Sequence, residues 1–272
     1  MSMLELSGLS KAFNVGTVNE VMSLQNVSLN IDEGSFVCVL GTNGSGKSTL
    51  LNAIAGTFLT DAGTIILNGT DITKWPEFKR AAHMGRVFQN PFSGTAPSMS
   101  IAENLALSAK RGKKRGLGWG LRSSVLNELK EKIKPLNMGL ENRLDTPIGK
   151  LSGGQRQALT LLMASWLKPE LLLLDEHTAA LDPKTAAKVI ELTESIVTKG
   201  KLTTLMVTHS MQQAVNLGNR VIMMHQGRIK YDFSGEEKKR LKVPDLLALF
   251  DEIRRKDQID PTVSELLLKN YI

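Results

Sequence analysis

The stretch FVCVLGTNGSGKSTLLNAIAG covers residues 36–56 and passes from one local pattern to another. Residues 36–40 form an unbroken apolar run with β-branched valines, the pattern of a strand buried on both faces. From Lys47 onward apolar residues recur at helical spacing and stop at Gly56, a residue type that closes helices. Between the two lies G-x-x-x-x-G-K-[ST], filled by Gly41, Thr42, Asn43, Gly44, Ser45, Gly46, Lys47 and Ser48, with Thr49 behind it. Its glycines allow a tight turn with N–H groups pointing inward, and the helix N-terminus adds positive partial charge. Such a loop cradles phosphate oxygens. Lys47 is then placed to reach β- and γ-phosphates, and Ser48 to hold Mg²⁺. The stretch predicts a nucleotide-binding loop between a strand and a helix.

The rest of the chain extends that unit. Residues 171–174, 205–207 and 221–224 are further buried-strand words, with helical patterns between them. Asp182 and Pro183 open one such helix, as N-cap and first turn, and Gly200 is expected just past its end. Alternating strands and helices predict an α/β fold, a P-loop NTPase core with a mainly parallel sheet. The words MLELSGLS, NVSLNI and GTIILNG predict a small antiparallel β subdomain. Strand signals vanish from 92 onward, where SIAENLALSAK and RSSVLNELKEKI read as helices around a glycine-rich RGLGWG. The expected division is therefore a core of 1–91 and 159–234, a helical subdomain of 92–158, and a short helical tail of 235–272.

Composition narrows the class. A chain of 272 residues with 42% hydrophobic and 22% charged residues can bury a real core, so disorder is excluded. No apolar run approaches the ~20 residues of a membrane span, and the N-terminus lacks an apolar signal segment. The expected protein is soluble or peripheral. Its single cysteine, Cys38, lies in a strand word and fits a reducing compartment. The net charge of +7 permits anionic partners. Lys110, Arg111, Lys113, Lys114 and Arg115 concentrate it, as a solvated loop or as a contact for anionic lipid. No nucleic-acid partner is expected.

Two further words carry chemistry. LLLLDEHTAALD, residues 171–182, runs a strand into Asp175 and Glu176, which would sit at the sheet edge where ligands gather. One acid can hold hydrated Mg²⁺ and the other can orient or deprotonate water. LSGGQRQAL, residues 151–159, is a second phosphate-ready helix start. Two such loops with one acid pair make sense in a dimer, where the second loop of one subunit caps nucleotide held by the first loop of the other.

Together these words resemble the ATP-binding-cassette (ABC) ATPases, over residues 1–232 or so. LSGGQ resembles the signature motif, 41–49 the Walker A loop and 171–176 the Walker B strand. The resemblance implies roles position by position. Gln89, in GRVFQNP, falls on the glutamine that senses Mg²⁺ and faces the transmembrane partner. His209, in LMVTHS, falls on the switch histidine that contacts the γ-phosphate, and Glu176 on the catalytic glutamate. Asp182, closing AALD, falls at the dimer interface, and Ser152, Gly153, Gly154 and Gln155 on the contact to the other subunit's nucleotide. Phe13, in SKAFNVG, aligns with an aromatic that stacks on adenine, with a core phenylalanine as the competing assignment.

The resemblance also implies ATP with Mg²⁺, a homodimer of ATPase subunits, two permease subunits, and an extracytoplasmic solute-binding protein. The place of action would be the cytoplasmic face of the cell membrane. The lack of a fused membrane domain favours an importer, and DEHTAALD with QRQALTLLMAS resembles a bacterial importer subgroup for amino-acid-like solutes. A soluble scaffold, for example in iron–sulfur cluster assembly, and the ATPase of an exporter with separate membrane chains compete with it. His83 and His225 are expected at the surface or in turns. His177 stands where most cassettes have proline; a structural role is expected, with titration near neutral pH the alternative. Asn219 replaces a common aspartate and is expected to change a local cap.

Overall fold

The computed structural model describes residues 2–113 and 121–258. In chain order the strands are β1 (Ser2–Phe13), β2 (Val21–Asp32), β3 (Phe36–Gly41), β4 (Ala62–Leu67), β5 (Thr70–Asp71), β6 (Met84–Val87), β7 (Leu171–Asp175), β8 (Thr204–Val207), β9 (Arg220–His225) and β10 (Arg228–Ser234). They form two sheets. One is antiparallel, in the order β2-β1-β4-β5. The other has the order β10-β9-β3-β8-β7-β6, parallel except for β10, which closes an edge antiparallel to β9.

The parallel strands show why their sequences are continuous apolar runs. Val37 and Val39, Leu171 and Leu173, Leu205 and Val207 point to one core. Cys38 and Leu40, Leu172 and Leu174, and Met206 point to another. Strand side chains alternate, so a sheet covered on both faces needs apolar residues at every position. Each such side chain contributes roughly 1.5–3 kcal/mol when fully buried.

The helices are α1 (Lys47–Ala55), α2 (Glu77–Arg80), α3 (Ile101–Ala109), α4 (Ser123–Ile133), α5 (Gly153–Ser165), α6 (Pro183–Gly200), α7 (Met211–Asn216), α8 (Gly235–Arg240) and α9 (Val243–Gln258). A third core joins α3, α4 and α5 through Ile101, Leu105, Leu129, Ile133, Ala158 and Leu159. α3 opens with a capping box: the Ser100 side chain accepts from Glu103 N, and Glu103 accepts from Ser100 N. No described helix is long and apolar enough to cross a membrane.

One buried charge joins the antiparallel sheet to the nucleotide-binding unit. Arg80 is 1% exposed. Its guanidinium donates to Ala53 O (2.8 Å) and Ile54 O (2.9 Å) at the C-terminal end of α1, and to Thr73 O (2.8 Å) and Trp75 O (2.9 Å). A cation at a helix C-terminus is favoured by the helix dipole and satisfies carbonyls that the helix leaves over. Gly56, at φ +82, leaves the space: a Cβ there would lie 2.8 Å from Arg80 Nε.

Some expectations change. Gly200 is the last residue of α6, and Lys201 takes the left-handed conformation at φ +49 instead. His225 is not at the surface; it ends β9 and is 8% exposed. His83 pairs with Glu170 at 2.8 Å. Asn219 Oδ1 accepts from Phe36 N at 3.1 Å, a tie at the start of β3. RGLGWG, Lys114, Arg115 and the tail word TVSELLLKNYI lie outside the described residues.

Candidate functional site

The phosphate loop sits at the C-terminal edge of the parallel sheet. Gly46 is the N-cap of α1 at φ +98, and no side chain caps that helix. A Cβ at Gly46 would lie 2.5 Å from Ser23 O, so both the conformation and the close approach require glycine. The loop opens on a cavity of about 840 Å³ lined by residues 43–49, Gln89, Glu176, Ala179 and His209, with Val21 and Ser23 of β2. Lys47 Nζ donates to Gly41 O (2.9 Å) and Thr42 O (3.0 Å). Burial pushes its ammonium pKa down, opposed by Glu176 and then Asp175. The buried Ser45 hydroxyl has no protein partner. An uncapped helix start, a buried cation and an orphaned hydroxyl suit a polyphosphate.

β7 and β8 bring the acids and His209 to the same edge, since Asp175 pairs with Val207 in the ladder. Burial holds the Asp175 carboxyl above the usual carboxylate range; Arg86 opposes that, Glu176 adds to it, and the nearby Ser48 hydroxyl opposes it. A carboxylate whose charge is costly in place gains from a nearby cation. The described residues hold no cluster of three His, Cys, Asp or Glu fit for a metal. A hydroxyl and one carboxylate beside a phosphate site fit Mg²⁺, which takes few protein ligands together with phosphates and water.

Glu176 is gripped from two sides. Its Oε2 accepts from Gln89 Nε2 at 3.1 Å, and its Oε1 lies 2.6 Å from His209 Nε2. Its backbone is left-handed, φ +42, which costs an L-residue about 1–2 kcal/mol. A proline at 177 would push the residue before it toward extended φ; His177 imposes no such restriction.

His177 is 3% exposed and 2.9 Å from Thr193 Oγ1. The Thr193 hydroxyl donates its one hydrogen to Val189 O, so His177 Nε2–H is the donor in this pair. Burial lowers its pKa from 6.5 to about 4, which removes titration near neutral pH. The unfolded chain therefore takes up this proton first. The His177 contribution is steady above about pH 6.5 and is lost as pH falls toward 4. Between pH 7.5 and pH 5 it should cost the fold about 2 kcal/mol. Unfolding measured at both pH values in wild type and His177→Leu checks this: the variant should lose less by that amount, and equal losses would refute a buried neutral imidazole.

The signature residues lie elsewhere. Ser152 and Gln155 form a capping box at α5, with Gln155 N donating to Ser152 Oγ (3.3 Å) and Ser152 N to Gln155 Oε1 (3.2 Å). A Cβ on Gly154 would lie 2.0 Å from Thr185 Cγ2 of α6, which fixes glycine there. Asp182 Oδ1 caps α6 by accepting from Thr185 N at 3.0 Å. Ser152, Gly153 and Asp182 are exposed, and none of residues 152–155 lines the cavity of the phosphate loop. Phe13 is half-buried, edge-on to Phe58 at 5.3 Å; its ladder partner Val21, not Phe13, lines the cavity. Val21, Ser23 and Arg86 escape sequence reading because they carry no motif and reach the site through sheet geometry.

The protein-family model for "ABC transporter" matches residues 24–179. The chain belongs to the ABC transporter family. It is 45% identical over 251 residues to a tyrosine transport ATP-binding protein of Clostridioides difficile, covering 92% of this chain and 99% of that one. It is 32% identical to the ABC transporter ATP-binding protein YtrE of Bacillus subtilis, over 84% and 97% of the two chains. Among solved structures it resembles a dimeric ATP-binding cassette in a post-hydrolysis state with ADP and phosphate, at TM-score 0.73 and 29% identity over 85% and 98%. This chain is the ATPase cassette of an ABC transporter, and its fold is the P-loop NTPase fold of that family.

Proposed function

We propose that this ABC ATPase drives uptake of an amino acid of tyrosine's kind through two separate permease subunits, at the cytoplasmic face of a bacterial membrane. The observation that carries this reading is the likeness to the tyrosine transport protein over nearly the whole of both chains. Two copies close on two ATP molecules. Residues 41–49 hold the phosphates of each, with Phe13 and Val21 at the adenine end. Ser152, Gly153, Gly154, Gln155 and Asp182 of one copy meet the nucleotide of the other, which accords with the exposure of Ser152, Gly153 and Asp182 and with the absence of all five from the lining of their own phosphate-loop cavity. Ser48, Asp175 and Gln89 would hold Mg²⁺, which would supply charge neutralisation for the transferring phosphoryl group. Glu176 orients the attacking water and takes its proton, while His209 holds the γ-phosphate end and steadies the carboxylate.

A second cavity, of about 430 Å³, supports a docking surface for the permease. It lies beside the segment after Gln89 and is lined by Arg86, Ser93, Thr95, Asn104, Arg111 and Met163 among others, with no acidic residue. Arg86 and Arg111 are its only charged lining residues, so an acidic side chain on a cytoplasmic permease helix fits. An extracytoplasmic binding protein would deliver the solute. Uptake of labelled tyrosine into cells lacking this chain tests the reading. Uptake should be lost, return with the wild-type chain and fail to return with Glu176→Gln. Undiminished uptake, with the chain purifying alongside soluble proteins instead of a permease, would point to the scaffold alternative.

A further inference from the structure

Glu176 and His209 stand on different loops, after β7 and after β8, yet their side chains meet at 2.6 Å. We propose that Gln213 is a positioning residue that clamps these two loops together and so sets the Glu176–His209 geometry. This rests on the assignment of those two residues to hydrolysis.

The clamp is a short chain of hydrogen bonds. Thr208 Oγ1, one residue before His209, donates to Gln213 Oε1 at 2.7 Å. Gln213 Nε2 donates to Thr178 Oγ1, two residues after Glu176, at 3.3 Å. The backbone on the His209 side is tied to the same residues: Ser210 N donates to Thr208 Oγ1 (3.0 Å), and Gln213 N donates to Ser210 Oγ (3.2 Å). Thr178 and Thr208 are buried, at 8% and 4% exposure. Buried hydroxyls need partners, and one amide, with an acceptor at one corner and a donor at the other, serves both.

The backbone of Glu176 explains why a clamp is needed. A left-handed non-glycine residue persists only where its surroundings over-determine it. Glu176 N donates to Val207 O (3.0 Å), and Ala179 N donates to Glu176 O (2.9 Å). His177 anchors the loop to α6 through Thr193. The Thr178–Gln213–Thr208 chain adds the one link of this set that also carries the loop of His209.

Steady-state ATP hydrolysis in Gln213→Leu, Gln213→Glu and Thr178→Val tests the clamp, with thermal unfolding alongside. Gln213→Leu should lower kcat about tenfold through misplaced groups, leave KM for ATP within about twofold because the phosphate loop is untouched, and lower the unfolding midpoint by only a few degrees, as two buried hydroxyls lose a partner. Gln213→Glu accepts from both threonine hydroxyls and should restore most of kcat. Thr178→Val combined with Gln213→Leu should be no worse than Gln213→Leu alone, since the two act through one link. A Gln213→Leu enzyme with wild-type kcat, or one whose losses track a lowered midpoint and are not rescued by glutamate, overturns the clamp. Glu176→Gln and His209→Ala run in parallel: if those retain turnover, the catalytic assignment itself has failed, whatever Gln213 does.

Discussion

Glu176→Gln is expected to lower ATP turnover by about 10²–10⁴-fold while leaving ATP binding close to wild type. The amide keeps the size of the side chain and can still meet Gln89, but it cannot take a proton from water. The phosphate loop stays intact: Lys47 bonds to Gly41 O and Thr42 O, and Gly46 keeps its close approach to Ser23. Binding and chemistry are therefore separable. Glu176 is also the residue that Gln89 and His209 both contact, so no neighbouring acid replaces it. Asp175 lies in the field of Arg86 and beside the Ser48 hydroxyl. Single-turnover hydrolysis and fluorescent nucleotide binding, measured on the same preparation, check the two halves. Turnover within threefold of wild type would remove Glu176 from the proton-accepting role.

Arg80→Met is expected to cost about 3 kcal/mol of stability, a large part of the 5–15 kcal/mol that holds a typical domain. Methionine fills the volume of the arginine stem but leaves Ile54 O, Thr73 O and Trp75 O without this donor, while Ala53 O keeps its bond from Gly56 N. Each unsatisfied buried group costs about 1–3 kcal/mol, and relief of the buried guanidinium offsets part of the sum. Because α1 begins at the phosphate loop, a loosened C-terminal end should also weaken ATP binding. Urea unfolding measures the loss. Arg80→Lys should fall between the two, since one ammonium cannot reach all four carbonyls; a change under about 0.5 kcal/mol in Arg80→Met would show that water satisfies them.

What the sequence announced and what it hid divide along physical lines. The phosphate loop and the strand before Asp175 were legible because both are local: glycine spacing forces a turn, and an apolar run forces burial. Most of the parallel sheet followed from the same runs. β6 was missed because its four residues include Gly85 and Arg86; a Cβ at Gly85 would lie 2.3 Å from Ala164 O, so glycine serves a close contact with α5. β10 was missed although RIKYDFS alternates polar and apolar residues, because its charged positions hide the apolar run that marks the buried strands. Arg80, Arg86 and Gln213 act through carbonyls and side chains far away in the chain, and no local pattern marks them. His177 was legible as a departure, while its neutrality comes from burial that only the fold supplies, and the Thr193–Val189 bond decides that Nε2 carries hydrogen.

The proposed working site is built from two copies, the phosphate loop and Glu176 of one with residues 152–155 of the other. Light scattering on Glu176→Gln with and without Mg-ATP tests it most directly. Addition of Mg-ATP should take the protein from the mass of one chain to that of two, and a further Gly153→Asp substitution at the exposed start of α5 should abolish the shift while ATP still binds. A Glu176→Gln protein that is saturated with ATP and keeps the mass of one chain would contradict the account.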